Sequence, residues 1–271
     1  MRTTAVVFVL AWAVAAVAHP GVGIVADGRG NIYYTDLKQV WRVTPDGTRA
    51  VVVPNVHTHE LTIDRAGNLF GEHLRYEGEA TNRWWHYIWR RSPDGRIERI
   101  VAEHAPFHNE DAISLVRDAA GNSYWANRDA KAIMRGRSVM ARGTFRDIRW
   151  MTVTPAGVVY LIDTTDLVRV APDGTVKTIA RNLSSTSILR PDISLQHALM
   201  GLWTDRSGNV YVADYARGAV KRVAPDGRVT TEFESSLPWS PTGGTFTPNG
   251  DLWLLEYSIT NDARVRKVTP R

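Results

Sequence analysis

A chain of 271 residues with 44% apolar content carries enough hydrophobic mass for a full core, which excludes an intrinsically disordered protein. It has no cysteine, which excludes a disulfide framework, a thiolate metal centre and a lipid-modified N-terminal cysteine. The formal charge of +5 comes from basic residues scattered along the chain, a pattern that serves solubility and supplies no block for nucleic acid.

The first predicted element is a secretory signal peptide over residues 1–18. Arg2 is its basic residue, AVVFVLAWAVAAVA its short apolar core, and Ala16-Val17-Ala18 its small-x-small cleavage site. The competing reading is an uncleaved membrane anchor, for which the run is short. The expected location is periplasmic or extracellular, with residues 19–271 forming one domain that is free of the membrane after cleavage. Cleavage after Ala18 leaves His19 at the N-terminus, where amine and imidazole can chelate copper; Pro20 beside it and the lack of a second supporting site speak against that role.

From Gly21 onward a single unit recurs. GIVADGRGNIYYTD, ELTIDRAGNLFGEH, SLVRDAAGNSYWAN, MTVTPAGVVYLID, GLWTDRSGNVYVAD and GGTFTPNGDLWLLEY are six versions of a strand, a turn built on Asp/Thr-x-x-Gly-Asn, and a second strand. Glycine supplies the positive φ of the turn, and Asp or Asn bonds its own backbone. In four units a third strand follows and ends in Pro-Asp-Gly, as in VWRVTPDGT, and a short fourth strand such as RAVVV or VKTIA comes next. Six four-stranded units of this size predict an all-β, six-bladed β-propeller. The last unit stops after its third strand, so a three-stranded last blade is expected, with the ring closed by side-chain packing.

The Asp-x-x-Gly-Asn-x-Tyr-x-x-Asp unit with its Arg-containing third strand resembles the NHL repeat, within the wider group of six-bladed propellers that includes the SMP-30/gluconolactonase family. The resemblance covers residues 21–271 and implies the fold more sharply than the function, because such propellers serve as lactonases, lyases and binding modules.

In such a blade the Gly-Asn and Pro-Asp-Gly turns share one face. Connections between blades, and between strands two and three, share the other, the top. The long connections EHLRYEGEATNRWWHY, AEHAPFHNED and NLSSTSILRPDISLQH all fall on the top, the usual place for a site on a rigid scaffold. Seven of the eight histidines map there too: His57, His59, His73, His86, His104, His108 and His197. Glu60, Glu72, Glu77, Glu103, Glu110 and Asp111 accompany them. First strands line the central channel, so His59 or Glu60, His108 or Asp111, and His197 could converge at its mouth from three blades. Imidazole with carboxylate suits zinc, manganese, iron or copper, and a carboxylate-rich selection suits calcium.

Each residue also has a structural reading. Asp36, Asp163, Asp214 and Glu256 end the second strands, and Arg42, Arg90, Arg169, Arg222 and Lys267 recur on the third; both sets are assigned to ion pairs or turn contacts. His73 takes the place of the usual aspartate of that ring, and Asn127 does so in blade three. His86 reads as loop packing or ligand contact, and Glu103 and His104 as a solvated loop. Trp84, Trp85, Trp150 and Trp239 would wall a flat ligand such as a sugar, whereas Trp41, Trp89 and Trp253 read as blade packing. Arg149 could face an anionic group from the channel wall.

The resemblance implies two enzyme templates. Gluconolactonase-like propellers hold a divalent ion with a glutamate, asparagines and an aspartate, and hydrolyse lactones. The chain departs from them, with Val22-Gly23, Met200-Gly201 and Thr242-Gly243 at the matching positions. Peptidyl-hydroxyglycine amidating lyase, a secreted six-bladed propeller, holds zinc with three histidines from different blades. His59, His108 and His197 resemble that set in type, though blades and spacings differ. The expectation is a divalent-metal site, with zinc, calcium or another ion, acting on a small organic substrate as hydrolase or lyase. Glu60 or Asp111 would be the nearest base. His57, His73, Glu72 and Glu110 are additional top-face candidates. The alternative is a non-catalytic secreted propeller that binds a ligand or protein. RNA recognition, as in some NHL-repeat domains, is disfavoured by the signal peptide and the lack of a basic patch, and a monomer is expected.

Overall fold

A computed structural model describes residues 20–105, 115–185 and 193–269. Residues 1–19, which hold the expected signal peptide and His19, lie outside the described residues, as do His108, Glu110 and Asp111.

The chain forms six antiparallel sheets taken up one after another. Blade one is β1 (Ile24–Ala26), β2 (Ile32–Thr35), β3 (Gln39–Val43) and β4 (Arg49–Pro54). Blade two is β5 (Leu61–Ile63), β6 (Leu69–Tyr76), β7 (Trp84–Arg91) and β8 (Ile97–His104). Blade three is β9 (Val116–Arg117), β10 (Ser123–Asn127), β11 (Ala132–Arg135) and β12 (Ser138–Arg142). Blade four is β13 (Ile148–Val153), β14 (Val159–Asp163), β15 (Asp166–Val170) and β16 (Val176–Ala180). Blade five is β17 (Leu199–Thr204), β18 (Val210–Asp214), β19 (Ala219–Val223) and β20 (Val229–Glu234). Blade six has only β21 (Trp239–Phe246), β22 (Leu252–Ser258) and β23 (Ala263–Val268). The first strands neighbour one another in the order β1, β5, β9, β13, β17, β21 and back to β1, which closes the ring around a central channel.

The repeated turn explains why six different sequences fold alike. In blade one Asp27 Oδ1 accepts the amides of Arg29 and Asn31, while Oδ2 accepts the Asn31 side-chain amide and the Tyr33 hydroxyl. Asp118 with Asn122 and Tyr124, and Asp205 with Asn209 and Tyr211, repeat the arrangement. One carboxylate therefore ties the turn to the second strand, and the tyrosine carries that tie into the blade. Such Asx contacts stabilise a turn without help from the core.

Closure joins blade six to blade one by packing, as expected. Leu255 and Tyr257 bury against Ile24, Ile32 and Tyr34. The Tyr257 hydroxyl, fully buried, donates to the Thr35 carbonyl at 2.9 Å. Burial pushes its pKa far up, so it remains a donor at any working pH.

The ends of the second strands behave as turn anchors. Asp36 accepts the Lys38 and Gln39 amides and the Trp41 indole, and Asp163 accepts the Arg146 and Asp147 amides. The basic set on the third strands pairs outward instead: Arg90 with Glu98, Arg222 with Glu232, and Lys267 with Asp251.

Blade two differs from its expected long loop. Residues on either side of 77–83 are strand, with Tyr76 opposite Trp84, Arg75 opposite Trp85 and His73 opposite Tyr87. Cross-strand ring pairs account for this: Tyr76 and Trp84 lie 4.9 Å apart, and His73 stacks on Tyr87 at 4.8 Å.

Candidate functional site at the channel mouth

The channel holds a cavity of about 260 Å³ lined by the first strands. Thr62, Thr152 and Thr245, two residues before the turn position in blades two, four and six, give its wall hydroxyls. Glu60 and Arg117 are its charged residues, and Trp150 and Trp203 its aromatic ones.

Blades five, six and one approach closely at the channel. A methyl group on Gly201 would sit 2.7 Å from the Thr242 carbonyl oxygen, and one on Gly243 would overlap the Val22 carbonyl. Glycine at these positions lets blades five, six and one approach backbone to backbone. The positions at which a gluconolactonase-like site would need carboxylates are thus filled by contact between blades.

Four blades contribute charged groups. Glu60, 8% exposed, precedes β5. Arg128 follows β10 and donates through Nε to the Ile148 carbonyl at 3.0 Å. Arg149, on β13, forms a two-point contact with Asp147, at 2.8 Å from Nε and 2.7 Å from Nη2. His197 sits in a single helical turn, α1 (Leu195–Ala198), with Nδ1 at 3.1 Å from Ser194 Oγ.

These groups act on one another. Burial pushes the His197 imidazole below its ordinary pKa, Arg149 pushes the same way, and Asp147 partly opposes. Burial also pushes the Arg128 guanidinium down, reinforced by Arg149 and opposed by Asp147 and Glu60. Glu60, Arg149 and His197, singled out from sequence, therefore share one electrostatic neighbourhood. Arg128 and Asp147 belong to it and were missed. Their signal was local: Arg128 follows Asn127 at the end of a second strand, and Asp147 stands two residues before Arg149.

His59 is placed differently. Its carbonyl accepts the Val22 and Gly23 amides at 2.8 and 2.7 Å, which ties blade two to blade one. Its ring lies 3.7 Å from Glu72 Oε1 and meets His57 edge-on at 4.7 Å. Burial alone would raise the Glu72 carboxyl, but the ring and amide of His59 hold it below the usual range. His73 Nδ1 accepts the His57 amide at 3.0 Å, and burial pushes that imidazole down in pKa. His57, His59, Glu72 and His73 thus form a contact cluster within blade two. His86 is buried on β7 with its ring 5.6 Å from that of His104.

Among the described residues no three His, Asp or Glu side chains converge as a metal site. Glu72 is engaged by His59, and His197 feels the positive charge of Arg149, which opposes a dication.

A ring of six antiparallel blades closed around a central channel defines a six-bladed β-propeller. No family model matches the sequence, and no curated protein matches it. Solved structures do. The chain is similar to streptogramin B lyase, with a TM-score of 0.56 and 11% identity over 94% of this chain and 96% of that one. Virginiamycin B lyase from Staphylococcus aureus matches with a TM-score of 0.53 and 14% identity over 93% and 86%. Regucalcin from Agrobacterium tumefaciens, described as a calcium-binding protein, matches with a TM-score of 0.59 and 16% identity over 87% and 81%. At these identities the likeness is one of fold.

Proposed function

We propose that the protein acts on a small organic molecule at the channel mouth, as a lyase or hydrolase, with His197 as the proton acceptor. What supports this is the mutual electrostatic influence of Arg128, Asp147, Arg149 and His197, with Glu60 acting on Arg128 and lining a cavity of about 260 Å³. An imidazole kept neutral by burial and a neighbouring guanidinium can take a proton from a substrate carbon or from water near neutral pH. Arg128 and Arg149 would hold an anionic or strongly polar part of the substrate, and their charge would stabilise negative charge developing on it. Glu60, on the cavity wall, would return a proton to the leaving group.

The divalent ion expected from the sequence, zinc, calcium or another, is not supported by the described donors, so no step is routed through it. Of its expected ligands His59, His108 and His197, His108 lies outside the described residues. Elemental analysis of purified protein and of His108→Ala tests it: a stoichiometric ion lost in the variant supports the metal, and no ion after supplementation removes it.

The catalytic proposal is tested by screening lactones, esters and lyase substrates against the wild type and His197→Gln. Turnover that falls at least 100-fold in the variant while ligand binding persists is the expected result. Unchanged turnover in His197→Gln rejects the assignment. A ligand bound at the mouth without turnover in either form identifies a secreted recognition module.

A further inference from the structure

A second cavity, of about 240 Å³, lies between blades five and six and shares no lining residue with the channel cavity. One wall is the connection from β18 to β19, including the 3-10 turn Tyr215–Arg217, and the other is the segment that leads into β21. Both are top-face connections. We propose that this cavity is a separate binding site for an organic carboxylate with a flat apolar body.

The apolar half is built in advance. Trp239 stands in the wall, and the Arg264 guanidinium lies 4.1 Å from its ring centre. Arg264 is itself held by Glu256, a fully buried carboxylate that also takes Arg266 at 2.7 Å. A clamped arginine on an indole keeps the ring from rotating, so a ligand meets a fixed surface and orders little on binding. Leu237 on the same rim is 61% exposed, an apolar side chain left to water at the edge of an aromatic wall.

The charged half favours an anion. Arg217 and Lys221 line the cavity against a single carboxylate, Glu234. Arg217 Nη2 donates to Ser185 Oγ at 2.9 Å and Lys221 Nζ to Thr231 Oγ1 at 3.0 Å. Among the described residues these are hydroxyl partners, and neither cation forms an ion pair. Buried Asp214 behind them feels both cations without forming an ion pair with either, so Arg217 and Lys221 beside an indole still match a carboxylate joined to a ring better than a neutral or cationic ligand.

The test uses the full chain, with indole-3-acetate and its neutral amide as probes in titration calorimetry. The acid should bind at a single site, the amide at least ten-fold more weakly. Lys221→Met and Arg217→Gln should each weaken the acid at least five-fold, with melting temperature confirming that the variants fold. Arg149→Gln, at the channel mouth, should leave the acid's affinity unchanged. Absence of binding at millimolar acid, equal binding of acid and amide, or loss of binding in Arg149→Gln would each overturn the proposal; only the last would transfer the ligand to the channel mouth.

Discussion

At the residue scale, the behaviour of His197 and Glu256 follows from the charges placed beside them. Because burial and Arg149 lower the His197 pKa, the acid limb of kcat/KM should fall below the ordinary imidazole value of about 6.5. Arg149→Gln removes one of the two causes, so the limb should move to higher pH; a pH-rate profile that does not move would separate Arg149 from the base. Glu256 is also lowered, but there the shift favours the charged form. Burial alone would raise its carboxyl, but Arg266, Ser235 and Arg264 hold it below the ordinary value of 4.5. Its folded pKa is depressed, so its contribution is present above the unfolded pKa and is lost as pH falls through the folded value. Glu256→Gln should therefore cost about 2 kcal/mol at neutral pH, less than a fully enclosed pair because both arginines are partly exposed. Thermal melts at pH 7 and pH 3 check this, and the difference from wild type should shrink at the lower pH.

At the element scale, the two kinds of glycine have different duties. Gly30 and Gly208 adopt φ of 81° in the Asp-x-x-Gly-Asn turns, so the repeat itself announces them. Gly243 has no such signature, yet an added Cβ would overlap the Val22 carbonyl. Gly243→Ala should cost about 1–3 kcal/mol by forcing two first strands apart. Denaturant melts measure that cost, and an unchanged midpoint would show that the blades yield. The strand pattern of blade two illustrates the limit of local reading. The stretch between His73 and His86 reads as a long loop because polar and aromatic residues are mixed there, but ring pairing across the hairpin outweighed the polar signal.

At the scale of the whole molecule, stability depends on a closure made without a shared blade. Tyr257 spans the seam, and its hydroxyl bond to the Thr35 carbonyl joins the last full repeat element to the first. Tyr257→Phe leaves the ring in place and removes about 1 kcal/mol of net hydrogen bonding, which for a domain of this size lowers the melting temperature by about 2–4 °C. A larger loss would mean that closure is more cooperative than one bond. Secretion is a proposal at the same scale: N-terminal sequencing of exported protein should begin at His19, and a retained Met1 would favour the anchor.

The amino-acid sequence by itself determined the all-β class, the six blades and the three strands that the described residues of the last blade form. Each of these follows from local chemistry, the turn carboxylate, the glycine φ and the alternation of strands, repeated often enough to overrule exceptions. Position within the repeat also assigns Glu60, Arg149 and His197 to the top face. Only the tertiary structure decided which top-face groups meet. His59 and His197 occupy comparable places in their units, yet His59 turns to Glu72 and ties two blades, while His197 enters the field of Arg149 and Asp147. The distance between side chains on separate blades depends on how closely the first strands pack, and that packing is set by contacts such as Gly201 against Thr242 that no stretch of sequence contains on its own.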